Sequence, residues 1–292
     1  MQNETKRDNR RLFTALGVYL NCTPDFITGA IVRELCAECA LSAEEAYSLL
    51  LASALGLQIY ENDADFTLYS RYFPHMVQKQ DPSRFRNNLY FRTIRIPEKS
   101  RSPWTLTHQC YKPYEAFVCN DCIMLPDGRA IPQIGFFTEE FRYPCVLEDG
   151  REWMLITPNE IHTMEDAIRN AHGHVLTYGL GMGYFAFMAG MRAAVADVTV
   201  VERDTRVIEL FTEEILPQFP CRDKLRIVCD NAYRFAQTDA RGYDYIFADI
   251  WHDPSDGLAA YKRLKSCETN APGANFAYWI EPTLRAYLTG WI

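Results

Sequence analysis

The chain has 292 residues, of which 48% are hydrophobic and 23% charged, so it can form one large or two modest globular domains. Its net charge of −8 argues against a general affinity for nucleic acid or for an anionic membrane surface. The start lacks an apolar signal core and no apolar run could span a bilayer, which predicts a cytoplasmic protein without a membrane partner, whose ten cysteines are free thiols.

Helical periodicity dominates residues 9–57. Thr23 followed by Pro24 is typical of a helix start with proline at the first helical position. Ser42-Ala-Glu-Glu is a capping-box motif, and the apolar helix that follows it should end at Gly56. This region carries no catalytic motif, so we expect it to cover the domain that follows, shape an entrance or form a dimer contact. The sequence leaves the oligomeric state open.

Two pairs of cysteines have the spacing of zinc ligands, Cys36 with Cys39 and Cys119 with Cys122. The first pair lies in a helical pattern and the second in a strand-rich segment, so a four-thiolate site would have to join two separate elements. No turn-forming glycine accompanies either pair. We therefore predict small buried side chains rather than metal ligands.

Seven basic residues fall within the 23 residues from position 79 to 101, interleaved with aromatic side chains. This composition can grip phosphates and stack on bases, so segment 79–101 is the candidate contact with nucleic acid. The alternative is a solvated loop followed by a strand over residues 89–96, with arginines alternating on its exposed face. The acidic total charge favours the alternative.

Residues 114–156 predict antiparallel β-structure. The turn motifs Pro-Asp-Gly at 126–128 and Glu-Asp-Gly at 148–150 are flanked by β-rich apolar runs, which predicts two hairpins. Thr-Pro-Asn-Glu at 157–160 then combines a capping box with proline at the first helical position. We expect a helix over residues 158–171.

A buried strand, a glycine-rich turn and the start of a helix follow over residues 174–186. Gly179, Gly181 and Gly183 let the backbone turn sharply and approach a ligand where a Cβ would collide. The helix start offers unpaired N–H groups. Such a loop indicates a nucleotide cofactor, although three glycines in five residues also occur in plain tight turns.

Polar residues recur directly after the strands that follow. The second strand ends in Glu202, 19 residues beyond Gly183, which is the spacing that brings a carboxylate to ribose hydroxyls in a βαβ unit. Asp230 and Asn231 follow the third strand, and Asp249 ends the fourth. Open α/β sheets bind ligands at the carboxyl ends of their strands, so we expect these side chains to meet there.

From about Thr157 onward, a little under half of its length, the chain resembles the class I S-adenosylmethionine-dependent methyltransferases and the related spermidine synthases. The resemblance implies an α/β fold with a Rossmann-like, doubly wound, mostly parallel sheet over residues 158–292. A small antiparallel β-hairpin element at 113–157 and a mainly helical N-terminal region at 1–112 precede it.

The same resemblance implies S-adenosylmethionine as the cofactor. Its methionine part would lie on the three loop glycines, its ribose on Glu202, and its adenine against Asp230 and Asn231. Asp249 would lie at the cofactor edge as well. One departure is Thr177, because many methyltransferases have an acid at that place, two residues before the first glycine.

Residues 249–256 concentrate three acids, an imidazole and an indole after the fourth strand. Asp249, His252 and Asp253 are candidate catalytic bases, since methyl transfer requires an in-line acceptor from which a proton can be removed. Trp251 could wall the acceptor or contact a sulfonium. The alternative is that the Asp-Pro and Asp-Gly pairs of this segment are ordinary turn and helix-start residues. Their position at a strand end favours function.

Two families compete for this segment. Spermidine synthases place two acids three residues apart before a proline, whereas Asp249 and Asp253 are four apart, and Met182 stands where those enzymes typically have aspartate. Catechol-type O-methyltransferases have a similar Asp-x-Trp-x-Asp run whose first acid binds magnesium. Their further metal ligands have no clear counterpart here. The nearest acid is Glu281, which is at least as well explained as the end of a last strand, so we predict no metal.

The sequence therefore predicts an S-adenosylmethionine-dependent methyltransferase that acts on a small, unidentified acceptor. One alternative is a spermidine synthase-like aminopropyltransferase. The other is a non-catalytic cofactor-binding or scaffold protein that keeps the fold without turnover.

Overall fold

The computed structural model of the chain describes residues 2–292. The chain forms two compact units, each of which is built from separate stretches of sequence. The first unit comprises residues up to Pro82, Gln109–Arg142 and Arg285–Ile292, and the second comprises Ser83–His108 and Tyr143–Leu284. The three-part division predicted from the sequence stays a prediction.

Residues 2–292 contain twelve α-helices and twelve β-strands. The helices are α1 (Gln2–Cys22), α2 (Gly29–Cys39), α3 (Ala43–Ala54), α4 (Asp63–Tyr72), α5 (Pro82–Arg86), α6 (Leu89–Thr93), α7 (Pro158–Asn170), α8 (Tyr184–Gly190), α9 (Thr205–Leu210), α10 (Ala232–Thr238), α11 (Pro254–Lys265) and α12 (Glu281–Leu288). The strands are β1 (Val77–Lys79), β2 (Lys99–Arg101), β3 (Trp104–Tyr111), β4 (Phe117–Met124), β5 (Ala130–Phe136), β6 (Phe141–Glu148), β7 (Arg151–Leu155), β8 (Gly173–Tyr178), β9 (Val195–Glu202), β10 (Leu225–Cys229), β11 (Tyr245–Ala248) and β12 (Asn275–Tyr278).

The first unit packs helices α1 to α4 with a three-stranded sheet of order β1-β5-β4. Strand β1 runs parallel to β5, and β4 runs antiparallel to it. In the shared core the rings of Tyr47 and Phe136 stack with centroids 4.1 Å apart. The capping box predicted at Ser42 is present, because Ser42 Oγ accepts the N–H of Glu45 and the Glu45 carboxylate accepts the N–H of Ser42.

The helix start predicted at Thr23 is wrong. Helix α2 begins at Gly29, after Thr28, whose backbone is extended. The carbonyl oxygen of Pro24 accepts the N–H of Ala116 at 2.8 Å instead of bonding along a helix. A long-range backbone hydrogen bond has therefore overridden a local proline signal.

Both predicted hairpins are present, β4 with β5 and β6 with β7. Strands β2, β3, β6 and β7 form a four-stranded sheet in that order, in which β2 pairs antiparallel with β3 and β6 pairs antiparallel with β7. The strand predicted over residues 89–96 is wrong, because Leu89–Thr93 is helix α6. Asn88 caps this helix by accepting the N–H of Tyr90 at 2.9 Å. Tyr90 is buried and donates its hydroxyl to the carbonyl of Met182 at 2.6 Å, so the segment packs against the glycine-rich loop.

The second unit is organised around a five-stranded parallel sheet of order β10-β9-β8-β11-β12. All four pairings are parallel, and the apolar runs of β8, β9 and β11 are buried, as a sheet covered on both faces requires. Counted along the chain, the strand order is 3-2-1-4-5, which is that of the Rossmann-like doubly wound fold. The predicted fold class is confirmed.

Candidate functional site

The glycine-rich loop leaves the carboxyl end of β8, where the strand order reverses between β8 and β11. Gly179 has φ of +99°, and a Cβ there would lie 2.0 Å from the carbonyl oxygen of Asp249. Gly181 has φ of +51°, and no atom lies within 4 Å of where its Cβ would be. Gly183 caps α8 and packs against the ring of Phe211. Only glycine permits the close contact at Gly179 and the open space beside Gly181.

A cavity of about 610 Å³ opens at this edge of the sheet. Its size lies within the range of small-molecule and cofactor sites. Seven of the residues predicted from the sequence line it: Gly179, Gly181, Glu202, Asp230, Asn231, Asp249 and His252. Two others, Gly183 and Asp253, do not line it. The structure therefore brings most of the predicted site to one place.

Glu202 lines the cavity from the end of β9. Its carboxylate accepts the N–H of Leu180 at 3.2 Å and the N–H of Asp204 at 2.8 Å. Leu180 belongs to the glycine-rich loop, so these bonds tie the loop to the neighbouring strand end. A carboxylate has about four lone-pair positions, so acceptor capacity remains for hydroxyl groups of a ligand.

Asp230 and Asn231 follow β10, and both have partners within the protein. The Asp230 carboxylate is ion-paired with Arg234 and accepts its Nε–H at 2.7 Å. Asn231 caps α10, and its Oδ1 accepts the N–H of Tyr233 at 3.0 Å. The side-chain atoms left for a ligand are the amide N–H groups of Asn231 and the remaining lone pairs of Asp230.

Asp253 is the N-cap of α11 rather than part of the cavity wall. Its carboxylate accepts the N–H of Ser255 at 2.6 Å and takes part in a capping box with Asp256. The contacts of Asp253 are therefore those of the helix-start residue that the sequence analysis gave as the alternative to a catalytic role. Asp249, four residues earlier, lines the cavity.

His252 lines the cavity and is held by an acid. Its Nδ1 lies 3.1 Å from the Asp256 carboxylate, and the edge of its ring packs against Trp153 with centroids 5.8 Å apart. Trp251 also lines the cavity and is 5% exposed. A Cβ at Gly257 would lie 2.8 Å from the Trp251 ring, so α11 can approach the indole only because this residue is glycine.

Glu160 is a cavity residue that the sequence did not single out. Its N–H is donated to Thr157 Oγ1 at 3.4 Å, but its carboxylate does not complete the predicted capping box. Burial, together with the charge of Asp249, raises the pKa of Glu160 well above its usual range. Burial raises the pKa of Asp249 to about 7. The two carboxyls thus form a pair in the cavity wall, in which the charge of Asp249 disfavours ionisation of Glu160.

Only one of the two hydrogen bonds of a capping box is present at Glu160, the one in which Thr157 Oγ1 accepts the backbone N–H of Glu160. The sequence alone could not distinguish a capping residue from a site residue at this position. A glutamate three residues after Thr157 has the same pattern in both cases. Its interaction with Asp249 joins positions 89 residues apart. No local pattern reports such a contact.

Ion pairs occupy part of the basic segment 79–101. Within the second unit, Arg84 contacts Glu165 at 2.6 Å, Lys99 contacts Glu214, and Arg101 contacts Glu213 at 2.7 Å. These pairs reduce the positive charge available to phosphate groups. Contact of this segment with nucleic acid stays a hypothesis.

The cysteine pairs lie on α2 and β4, and all ten cysteines are free. Cys119 and Cys122 are buried as predicted, whereas the prediction is wrong for Cys39, which is exposed because α2 buries little more than Val32. Glu281 begins α12, and its carboxylate accepts the hydroxyl of Tyr261 at 2.6 Å. Among residues 2–292, no group of three or more His, Cys, Asp or Glu side chains is placed to hold a metal ion.

None of the helices in the described part of the chain is long and apolar enough to cross a membrane.

No protein-family model matches this chain. A comparison with curated protein sequences gives no match either. Solved structures similar to part of it include a spermidine synthase from Thermotoga maritima, with 20% identity and a TM-score of 0.30, over 41% of this chain and 48% of that one. A spermidine synthase in complex with the transition state analogue AdoDATO has 19% identity and a TM-score of 0.31, over 41% of this chain and 50% of that one.

The apo form of the S-adenosylmethionine-dependent methyltransferase SibL has 19% identity and a TM-score of 0.29, over 40% of this chain and 33% of that one. This chain thus covers between a third and half of these three structures. Matches of this extent transfer no activity. The Rossmann-like fold of the second unit follows from its own strand order.

Proposed function

We propose that the cavity binds S-adenosylmethionine and that the chain transfers its methyl group to a small acceptor. The supporting observation is that one cavity of about 610 Å³, at the switch point of a 3-2-1-4-5 sheet, is lined by the glycine-rich loop, Glu202 and Asp249. Ligands of open α/β sheets bind at that point. The volume leaves room for an acceptor beside the cofactor.

The glycine-rich loop fits a cofactor because its backbone is accessible from the cavity. Gly181 lines the cavity and no atom lies within 4 Å of where its Cβ would be, so the glycine leaves its backbone accessible to a ligand. Glu202 is already oriented by two backbone N–H groups, which lowers the entropic cost of binding ribose hydroxyls. Its negative charge disfavours a phosphate at the same place. Asp230 and Asn231 would border the adenine through their remaining donor and acceptor atoms.

Asp249 is the better of the two aspartates for a catalytic base. It lines the cavity, whereas Asp253 caps α11. A pKa raised to about 7 makes Asp249 a base that is partly protonated near neutral pH, where general-base catalysis is efficient. His252 would act beside it, with its imidazole held by Asp256. Bound S-adenosylmethionine would supply an electrophilic methyl group, and these residues would position the acceptor and remove its proton.

The test is a side-by-side titration of S-adenosylmethionine and its decarboxylated form, followed by turnover with amines, phenols and carboxylic acids. We expect tighter binding of S-adenosylmethionine and release of S-adenosylhomocysteine with one acceptor class. A preference of about tenfold or more for the decarboxylated cofactor, about 1.4 kcal/mol, would support aminopropyl transfer instead. Saturable cofactor binding without product from any acceptor would support a non-catalytic protein.

Glu202→Ala should weaken cofactor binding by roughly 1–3 kcal/mol, because the hydroxyl groups of the ligand and the N–H of Leu180 lose their acceptor. Glu209→Ala is a matched control, since Glu209 is exposed on α9 and lies outside the cavity lining. Equal binding by both variants would contradict the ribose assignment.

A further inference from the structure

Glu160 and Asp249 differ from the other acids of the cavity in having no internal partner. The carboxylate of Glu202 accepts two backbone N–H groups, and that of Asp230 is paired with Arg234. Glu160 and Asp249 line the same cavity, and no donor or cation within residues 2–292 contacts either carboxylate. Burial is the largest influence that raises the pKa of both. Two neighbouring carboxylates without a cation are costly in a partly buried site.

We propose that Glu160 and Asp249 together bind the acceptor and that this acceptor is a protonated amine. This inference rests on the proposed function, because it names the acceptor class of the same cavity. An ammonium group carries the charge that the pair lacks and offers up to three N–H donors to two carboxylates. A neutral phenol or alcohol would leave both carboxylates without a cation and offers only one donor between them.

The aromatic residues that line the cavity also favour a positively charged acceptor. Trp153, Trp251 and Trp279 all line it together with the two acids. Trp279 is fixed, because its indole N–H donates to Thr163 Oγ1 at 2.8 Å. Indole rings attract ammonium groups through their π faces, and this attraction grows when the cation is desolvated.

The reaction balances without another reagent. An ammonium acceptor first gives one proton to the carboxyl pair, which frees the nitrogen lone pair. The lone pair attacks the methyl carbon of S-adenosylmethionine, a C–N bond forms, and the C–S bond breaks with its electrons going to sulfur. The products are the methylated ammonium ion and S-adenosylhomocysteine, and the proton on the pair then leaves to solvent.

Other titratable groups lie near Glu160 and Asp249 and can affect how turnover depends on pH. Tyr184 on α8 interacts electrostatically with Glu160, and its hydroxyl accepts the side-chain N–H of Asn88 at 2.9 Å. Glu152 on β7 and His252 after β11 line the same cavity. Burial raises the pKa of Tyr184 well above its usual range, so this phenol stays neutral while the carboxyls titrate.

The experiment supplies methyl-labelled S-adenosylmethionine with a mixed panel of primary amines, alcohols, phenols and carboxylic acids of matched carbon skeletons, and identifies labelled products by mass spectrometry. We expect labelled amines. Glu160→Gln and Asp249→Asn should each lower this turnover by about tenfold or more while S-adenosylhomocysteine still binds. Glu165→Gln is the matched control, because Glu165 lies on the same helix α7, is exposed and pairs with Arg84.

A pH profile separates a direct role of Glu160 from a merely structural one. Loss of one acid from a coupled pair lowers the apparent pKa of the other, so the profile of Glu160→Gln should shift to lower pH, whereas misfolding would lower the rate without a shift. Labelled ethers or esters in place of labelled amines, or full turnover by Glu160→Gln, would overturn the amine proposal alone, whereas cofactor binding without any labelled product would overturn the proposed methyl transfer with it. Failure of wild-type protein to bind S-adenosylhomocysteine would instead overturn the proposed function.

Discussion

Two alanine substitutions in the glycine-rich loop should have different effects, although both replace a glycine of positive φ. At either site an alanine forced into a left-handed conformation costs about 1–2 kcal/mol. At Gly179 the new Cβ would also lie 2.0 Å from the carbonyl oxygen of Asp249, about 1 Å closer than real contacts allow. The strand ends of β8 and β11 would have to separate, which adds about 1–3 kcal/mol. Gly179→Ala should therefore lose roughly 2–5 kcal/mol of unfolding free energy.

Gly181→Ala should lose only the conformational part, roughly 1–2 kcal/mol, because no atom lies within 4 Å of its Cβ position. Its methyl group would, however, occupy space that the ligand needs, so cofactor binding should weaken more than stability does. Urea unfolding measures the first quantity and calorimetric titration with S-adenosylhomocysteine the second. Equal stability of the two variants would refute the steric argument. Unchanged cofactor binding by Gly181→Ala would refute the proposal that the ligand lies against the glycine-rich loop at this residue.

Three further predictions concern the acid pair, the cavity wall and the basic segment. Because the pKa values of Glu160 and Asp249 are raised in the folded state, their contribution to stability falls as pH rises from about 4 through about 7. Glu160→Gln should therefore raise the unfolding free energy at about pH 8 by roughly 1–3 kcal/mol and change it little at about pH 5, measured by urea unfolding. Gly257→Ala should displace Trp251, cost about 1–3 kcal/mol and change tryptophan fluorescence, whereas an unchanged spectrum would show that the wall can absorb the methyl group. A labelled single-stranded RNA should show no saturable binding to segment 79–101 in gel-shift titrations at physiological salt, and saturable binding abolished by charge reversal at Arg92 and Arg95 would contradict this.

The elements that the sequence predicted best are those in which local pattern and tertiary contacts agree. The strand that ends at Glu202 and the strand that ends just before Asp249 are buried apolar runs, and a parallel sheet brings their ends together whatever the details of the helices. The capping box at Ser42 and both hairpins are also local, and their motifs specify their own geometry.

The errors arose where a distant partner decided the conformation. Alternating arginines predicted a strand over residues 89–96, but Tyr90 is buried and its hydroxyl bonds the carbonyl of Met182, 92 residues away, in a short helix. Asp253 and Glu160 show the same limit at the site. Each follows a capping pattern, yet the carboxylate of Asp253 caps a helix and that of Glu160 lines the cavity. Only the three-dimensional arrangement distinguishes them.

The most direct test of the account is a calorimetric titration of the wild-type protein with S-adenosylhomocysteine and, in parallel, with NADH. The glycine loop and a ribose-binding acid such as Glu202 are compatible with either ligand, whereas Asp230 and Asn231 at the adenine edge of the cavity favour the first. We predict saturable, one-to-one binding of S-adenosylhomocysteine that Gly181→Ala weakens, and no binding of NADH. Binding of NADH with no response to S-adenosylhomocysteine would contradict the central claim.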